Sequence, residues 1–253
     1  MLLNQTLDKL HSLGLQGMAQ ALEEQRRSKD IADLDFEARF GLLVERQWLW
    51  KENRGMERRL QAAQLKQTAS LEDIDYRHPR GLKRAHIDQL RASRWLEEHR
   101  NCLVTGPTGA GKTYLACALG HQACRQGHRT IYYYAPKLFR ALQTAQADGS
   151  LPSLLKKLSR ADLLIVDDFG TASVVGKQYR DFLEILDDRQ GQGSTLVTSQ
   201  FPVSQWHEII ADPTVADAIL DRLIHNAYRI DLKGESMRKS QAAARKTEGE
   251  PSD

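Results

Sequence analysis

Residues 106–113 read GPTGAGKT, and this stretch limits the possible folds more than any other part of the chain. It has the pattern G-x-x-x-x-G-K-[ST], in which glycines let successive backbone N–H groups turn towards phosphate oxygens. The apolar run NCLVT at 101–105 precedes it, and residues 113–126 have helical character that stops at Gly127. A strand, a glycine loop and a helix in this order form a phosphate-binding loop. The stretch therefore predicts an α/β fold that binds a nucleotide.

The predicted loop assigns a separate task to each of its polar side chains. The Lys112 ammonium should reach the β- and γ-phosphates, and the Thr113 hydroxyl should ligate Mg²⁺. The alternative is a glycine turn in which Lys112 has no role in binding, and the flanking strand and helix disfavour it. The predicted nucleotide-binding residues are Gly106, Pro107, Thr108, Gly109, Ala110, Gly111, Lys112 and Thr113.

The chain is predicted to contain a small helical part followed by a part in which strands and helices alternate. Alternation of this kind indicates a parallel sheet covered by helices on both faces. The strand candidates are 101–105, 129–134, 162–167, 194–199 and 228–232. Among the first 67 residues, 35–50 and 52–67 are each predicted to form a helix. We expect a helical domain at 1–67, a connector at 68–95, an ATPase domain at 96–239 and a disordered tail at 240–253.

Two carboxylates end the apolar run DLLIVDDF at 162–169. At a strand end beside the phosphate loop, Asp167 can hold Mg²⁺ directly or through water. Asp168 is then placed to polarise the water that attacks the γ-phosphate. A turn with aspartate at its tip is the structural alternative, which the upstream loop disfavours.

Hydroxyl groups end the run STLVTSQ at 194–200. If this strand lies between the other two, Thr198 or Ser199 faces the γ-phosphate and can orient the attacking water. The β propensity of threonine would also explain its presence without any catalytic role.

An arginine inside an apolar helix is the last candidate for the site. Arg222 lies among Ile219, Leu220, Leu223 and Ile224, from where it can reach a neighbouring subunit's γ-phosphate. A surface ion pair is the alternative reading. Arg189 competes for the same role, and Arg238 is a further candidate phosphate sensor.

Composition indicates a cytoplasmic protein with no membrane segment. No apolar run approaches the ~20 residues that span a bilayer, and Cys102, Cys117 and Cys124 have neither disulfide nor zinc spacing. The net charge is only +3, but two segments are basic. Residues 39–66 carry seven Arg or Lys and three Glu, and residues 77–100 carry seven Arg or Lys and three acidic residues. Such segments suggest phosphate contacts, or simply solvated helix faces.

These stretches together resemble one family, the IstB-like and DnaC-like AAA+ ATPases, and most closely its IstB-like branch of insertion-sequence helper ATPases. The resemblance spans roughly residues 5–240 and is carried by LHSLGLQGMAQALEEQ, RRLQAAQL, GPTGAGKTYLACALG, DLLIVDDFG, TLVTSQFPVSQWHEII and ADAILDRLIHNAYRIDLKGESMR. The first and last stretches are the most selective. In the second carboxylate position Asp168 stands where many AAA+ members have Glu, and its shorter arm would slow hydrolysis.

The resemblance implies a P-loop AAA+ (ASCE) domain with a five-stranded parallel sheet in the order 5-1-4-3-2, preceded by a small all-helical DNA-binding domain. It also implies ATP and Mg²⁺ as cofactors, a homo-oligomer with ATP at subunit interfaces, and binding to double-stranded DNA with little sequence preference. The cognate transposase would be its protein partner. Candidate DNA contacts are Lys51, Arg54, Arg58 and Arg59.

Two other functions are compatible with the same ATPase core. A replicative helicase loader of the DnaC/DnaI type is the main alternative, and the character of the helical domain disfavours it. A metabolic P-loop kinase is the second alternative. It would need a small-molecule pocket and no oligomer.

Overall fold

The computed structural model describes residues 2–28, 31, 33–171 and 176–234. Within it the chain divides into two compact units, Met1–Arg58 and Arg59–Asp253. The predicted tail at 240–253 and Arg238 lie outside the described residues. Among the described residues, no helix has both the length and the apolar character needed to cross a bilayer.

The first unit is helical, as predicted. Helices α1 (Leu2–Ser12) and α2 (Gln16–Arg27) are joined by a turn at Gly14, whose φ of +75° suits glycine. Helix α2 packs closely on α3 (Phe36–Ala63). A Cβ on Gly17 would lie 2.6 Å from the Trp50 Cβ, so only glycine permits this approach.

The prediction of two helices at 35–50 and 52–67 is wrong, because α3 is one helix of 28 residues. The apolar periodicity ends near Trp50 and Gly55 follows, which together mimic a boundary. Glycine costs only about 1 kcal/mol inside a helix, while each added residue contributes one more hydrogen bond. The Glu, Arg, Leu, Gln and Ala residues around Gly55 are good helix formers and carry the helix through it.

Among the described residues, the second unit contains eight complete α-helices, a short 3-10 helix (Val203–Gln205) and five strands. Its sheet has the order β2-β3-β4-β1-β5 with every pair parallel, which confirms the expected 5-1-4-3-2 order. The strands are β1 (Asn101–Thr105), β2 (Thr130–Tyr134), β3 (Leu163–Phe169), β4 (Ser194–Ser199) and β5 (Ala227–Asp231). The helices are α4 (Arg84–Arg91), α5 (Arg94–Glu97), α6 (Lys112–Arg125), α7 (Ala135–Asp148), α8 (Leu151–Ser159), α9 (Gly176–Arg189), α10 (Trp206–Ile210) and α11 (Pro213–Ile224).

Helices cover both faces of this sheet and enclose two apolar clusters. One cluster holds α6 together with the inward side chains of β1 and β3, and the other holds α7, α9 and α11. Strands β3 and β4 are buried almost throughout, as expected for central parallel strands. The three cysteines are free and buried, as predicted.

The stretch predicted as a connector at 68–95 packs into the core of the second unit. Leu71, Ile87, Leu90 and Trp95 are all buried there. Residues 64–83 lie against α6 and the phosphate loop, and we call them the N-terminal strap of the second unit. The strap therefore contributes side chains to the site described next.

Candidate nucleotide site

The phosphate loop joins β1 to α6 at the carboxyl edge of the sheet. Gly111, which caps α6, has a φ of +92°. Gly106 has a φ of +145°, and a Cβ there would lie 2.4 Å from the Leu232 carbonyl oxygen. Both glycines are thus required by backbone geometry, and the N-terminus of α6 faces the place where phosphates bind.

A cavity of about 420 Å³ opens beside this loop. Its lining includes Lys112 and Thr113 from the loop, Asp168 from β3, and Gln200 just after β4. The N-terminal strap supplies Lys66, Gln67, Asp73, Asp75 and Arg80 to the same wall. The sequence predicts the loop and the aspartate, but the contribution of the strap depends on the path of the chain.

The Lys112 side chain curls over the loop. Its Nζ donates to the carbonyl oxygens of Gly106 at 2.7 Å and Pro107 at 2.9 Å. Burial lowers the pKa of Lys112, and the charges of Asp168 and Asp167 act in the opposite direction. The ammonium is therefore held at the mouth of the phosphate site by weak neutral acceptors, which phosphate oxygens can replace.

Asp167 is fully buried and lies at the centre of a hydroxyl network. Thr113 Oγ1 lies 3.0 Å from both of its carboxylate oxygens. The Tyr132 hydroxyl donates to Oδ2 at 2.7 Å, and Thr198 Oγ1 donates to Oδ1 at 2.7 Å. Mg²⁺ beside nucleotide phosphates takes carboxylate and threonine oxygens as ligands. Thr113 and Asp167 offer such oxygens next to each other, so these two residues fit that ion.

Asp168 is turned towards the cavity by an irregularity in β3. Pairing with β4 shifts between Val166 and Phe169, and Asp168 has a φ of +60°, which Asp tolerates better than most residues. Its N–H donates to Thr198 Oγ1 at 2.9 Å. The bulge explains how two consecutive residues of a strand both serve one site.

Thr198 or Ser199 was expected to face the cavity, but neither side chain does so. Strand β4 lies between β1 and β3, as predicted, but both side chains are fully buried. The Thr198 hydroxyl contacts the two aspartates, while Ser199 Oγ donates to the Phe169 carbonyl at 2.7 Å. The polar side chain that reaches the cavity from this strand end is Gln200, which accepts from Thr108 Oγ1 at 2.7 Å.

Tyr132 is a residue of the site that the sequence analysis missed. It is the buried tyrosine of TIYYY, and β2 pairs with β3 so that its hydroxyl reaches Asp167. Burial, followed by the hydrogen bond and charge of Asp167, raises the pKa of Tyr132, so the phenol remains a donor. The strand order implied by the family resemblance makes strands 2 and 3 adjacent, and this adjacency could have pointed to Tyr132.

Arg222 lies at the opposite edge of the sheet from the phosphate loop. Asn101, the first residue of β1, donates from Nδ2 to the Arg222 carbonyl at 2.8 Å, whereas the loop follows the last residue of β1. The guanidinium pairs with Asp187 and donates to the Ala218 carbonyl. Arg222 thus cannot serve the site of its own chain. It forms an ion pair on the surface, and its role in trans stays a prediction.

Arg189 is excluded as a residue that could reach a neighbouring subunit. It is buried, and its guanidinium donates to Thr195 Oγ1 and to the carbonyls of Leu158, Ala161 and Ser194. Burial lowers its pKa to about 10. This arginine satisfies backbone carbonyls near the amino ends of β3 and β4.

Three of the four candidate DNA contacts share one face of α3. Lys51, Arg54 and Arg58 are exposed and follow the spacing i, i+3, i+7, and Arg54 stacks over the Trp50 ring at 5.5 Å. Arg59 is half-buried, and its Nε donates to the Cys124 carbonyl at 2.8 Å. The name basic face is used below for Lys51, Arg54 and Arg58.

Known proteins resemble the chain over nearly its whole length. The insertion sequence ATP-binding protein y4pL of Sinorhizobium fredii is 48% identical over 241 residues, covering 95% of this chain and 98% of that protein. The insertion sequence IS21 ATP-binding protein of Pseudomonas aeruginosa is 32% identical, covering 92% and 86%.

Solved structures share a large part of the fold of this chain. The crystal structure of DnaI has a TM-score of 0.54 at 25% identity and covers 65% of this chain and 90% of that one. AMPPCP-bound DnaA from Aquifex aeolicus has a TM-score of 0.57 at 20% identity, covering 73% and 56%. The model of the IstB-like ATP-binding protein family matches residues 8–245. The chain therefore belongs to the family of IstB-like ATP-binding proteins.

Proposed function

We propose that this protein is an ATPase that oligomerises on double-stranded DNA and assists a transposase in choosing a target and inserting DNA. The observation that carries the ATPase proposal is the carboxylate of Asp168, which lines the phosphate-loop cavity beside the Thr113–Asp167 pair. A bound Mg²⁺ would supply charge neutralisation for the phosphates, with Thr113 and Asp167 holding it.

The protein's own residues would divide the work of hydrolysis. Lys112 and the loop N–H groups would bind and orient the phosphates, and Asp168 would accept a proton from the attacking water. Thr198 would position both aspartates through its two hydrogen bonds rather than touch the water itself. Gln200, which lines the cavity, is the side chain we propose for orienting the water.

Transposition is supported by the relatives and by the extent of their similarity. Proteins of insertion sequences match both units of the chain, including the helical one. The basic face offers contacts to phosphates without base reading, which suits little sequence preference. ATP and DNA are both available in the bacterial cytoplasm, where we place this activity.

A helicase loader of the DnaC/DnaI type is the second candidate. The likeness to the DnaI structure favours it. That likeness covers 65% of the chain, however, whereas the insertion sequence proteins extend through the helical unit. Binding of the protein to a replicative helicase in a pull-down would support the loader function.

Asp168→Asn tests the proposal. Asp217→Asn, at an exposed position of α11, makes the same charge change and is the control. The Asp168→Asn variant should bind ATP as the unaltered protein does, but hydrolyse it on the order of 10²–10³-fold more slowly because the base is lost. It should also remain longer on random duplex DNA in ATP at low salt. Unchanged turnover would remove Asp168 from catalysis, and absence of ATP-dependent DNA binding in the unaltered protein would refute the DNA function.

A further inference from the structure

The buried carboxylate of Asp167 has a fourth partner, which differs in kind from the other three. Thr113, Tyr132 and Thr198 are neutral hydroxyls on the helix and strands that build the site. The fourth is Lys66 of the N-terminal strap, whose Nζ lies 3.4 Å from Oδ2. A buried carboxylate needs a compensating charge, and this ammonium supplies one.

Lys66 is placed between solvent and the site. Its side chain is 45% exposed, while that of Asp167 is 0% exposed. The ammonium also lies 5.2 Å from the centroid of the Tyr134 ring at the end of β2. A four-carbon side chain with one face in water can leave this position at small cost, whereas the buried hydroxyls cannot.

The backbone of the strap is fixed on α6 close to Lys66. Burial raises the pKa of the Cys117 thiol on α6, and the neighbouring backbone of Gln67 and Lys66 acts in the opposite direction. Leu65, just before, packs into the core cluster that contains α6. The lysine is therefore presented to the site by a tethered backbone, and its approach to Asp167 is a built contact.

Further along, the strap is attached to α6 and to the phosphate loop itself. The Tyr114 hydroxyl donates to the Ser70 carbonyl at 3.2 Å, and Arg80 Nη1 donates to the Ala110 carbonyl at 2.9 Å. Arg80 is buried, so this second contact is held away from water. The strap thus spans the nucleotide site between two anchors, with Lys66 near its beginning.

The ammonium and a magnesium ion compete for the same carboxylate. Mg²⁺ takes oxygen ligands such as carboxylates, and the carboxylate of Asp167 already has the Lys66 ammonium as its ion-pair partner. Two positive charges at such close range also repel each other strongly where water is scarce. Binding of one cation at Asp167 is therefore expected to weaken binding of the other.

We propose that Lys66 competes with Mg²⁺ for Asp167, so that metal binding releases the ammonium of this lysine from the carboxylate. The proposal rests on the proposed function, because it assumes a magnesium nucleotide at the phosphate loop.

The test is a magnesium titration of nucleotide binding by the full chain, with N-methylanthraniloyl-ADP as the fluorescent probe. Lys66→Met removes the competing charge and keeps the length of the side chain. We expect the Mg²⁺ concentration at half-saturation to fall by about two- to fivefold, the range for a partly exposed ion pair. Probe binding in EDTA should change by less than about twofold.

Two further variants isolate the effect of the charge at this position. Lys83→Met, at an exposed position before α4, makes the same charge change away from Asp167 and should leave the titration unaltered. Lys66→Arg restores a cation and should move the midpoint back towards that of the unaltered protein. Thermal unfolding of each variant checks that the fold is intact.

Each other outcome has a defined meaning. Superimposable titrations of Lys66→Met and the unaltered protein would overturn the inference. A higher magnesium midpoint, or probe binding in EDTA weakened by about tenfold, would also overturn it, because Lys66 would then be a phosphate ligand. Failure of the unaltered protein to bind the probe at any magnesium concentration would refute the proposed function itself.

Discussion

Asp167 shows how one residue gathers a site from distant parts of the sequence. Its partners come from α6, β2, β4 and the N-terminal strap. Thr113 and Asp167 could be predicted because their motifs fix their places in the chain. Tyr132 and Lys66 could not be predicted from local pattern, because their contacts depend on how β2 and the strap lie against β3.

Thr198→Val tests whether the hydroxyl of Thr198 positions the two aspartates. Valine has nearly the same shape, but it leaves Asp167 Oδ1 and the Asp168 N–H without this partner, at a cost of about 1–3 kcal/mol in unfolding free energy. We expect weaker Mg²⁺-dependent nucleotide binding and slower hydrolysis, with nucleotide binding in EDTA retained. Denaturant unfolding and the magnesium titration measure the two effects separately.

Ser199→Ala is the matched control for that variant. Ser199 is equally buried and also loses two hydrogen bonds, to the Phe169 carbonyl and from the Phe201 N–H, but it contacts neither aspartate. It should lower stability without a specific effect on the magnesium midpoint. If both variants shift that midpoint equally, Thr198 has only a structural role. Thr198→Ser should restore function.

At the scale of elements, the strands were easier to predict than the helical unit. Buried parallel strands are short apolar runs with polar residues at their carboxyl ends, so β1, β3 and β4 are recognisable from the sequence alone. The length of α3 was missed because a glycine and a change of polarity resemble a helix end. The strap was missed as part of the site because its anchors, Tyr114 and Ala110, are contacts at long range.

The basic face of α3 leads to a prediction about DNA affinity. Changing Lys51, Arg54 and Arg58 together to Ala should weaken binding to random duplex DNA, because up to three phosphate contacts and their released counterions are lost. The dependence of log affinity on log salt should become shallower by about one unit for each lost contact. Fluorescence anisotropy with duplex DNA at several salt concentrations measures both quantities.

Arg94→Ala is the control for this experiment, since Arg94 is exposed in the second unit and pairs with Glu98. It removes a charge from the second unit and should leave the salt dependence unaltered. An unchanged slope in the triple variant would mean that DNA is held elsewhere. Arg59 is left in place because it contacts the carbonyl of Cys124.

At the scale of the whole molecule, the two ends of β1 carry complementary chemistry. The phosphate loop follows its last residue, Thr105, and Arg222 contacts its first, Asn101. A parallel sheet separates these groups by the length of its strands, so one chain cannot bring them together. We propose that a head-to-tail arrangement of chains brings Arg222 of one chain to the phosphate loop of the next, and contacts of this type build rings or helices.

Arg222→Ala should retain ATP binding and lose hydrolysis on the order of 10²–10³-fold, because the transition-state charge loses a cation supplied in trans. Lys112→Ala should fail at nucleotide binding instead. Mixing the two inactive variants should restore part of the turnover, since a shared site can combine an intact phosphate loop from one chain with an intact arginine from another.

Asp187→Asn is the control. It removes the ion-pair partner of Arg222 without changing the arginine and should leave hydrolysis in place. Normal turnover by Arg222→Ala would assign the arginine to that surface ion pair, and mixtures that stay inactive would argue against a site shared between chains.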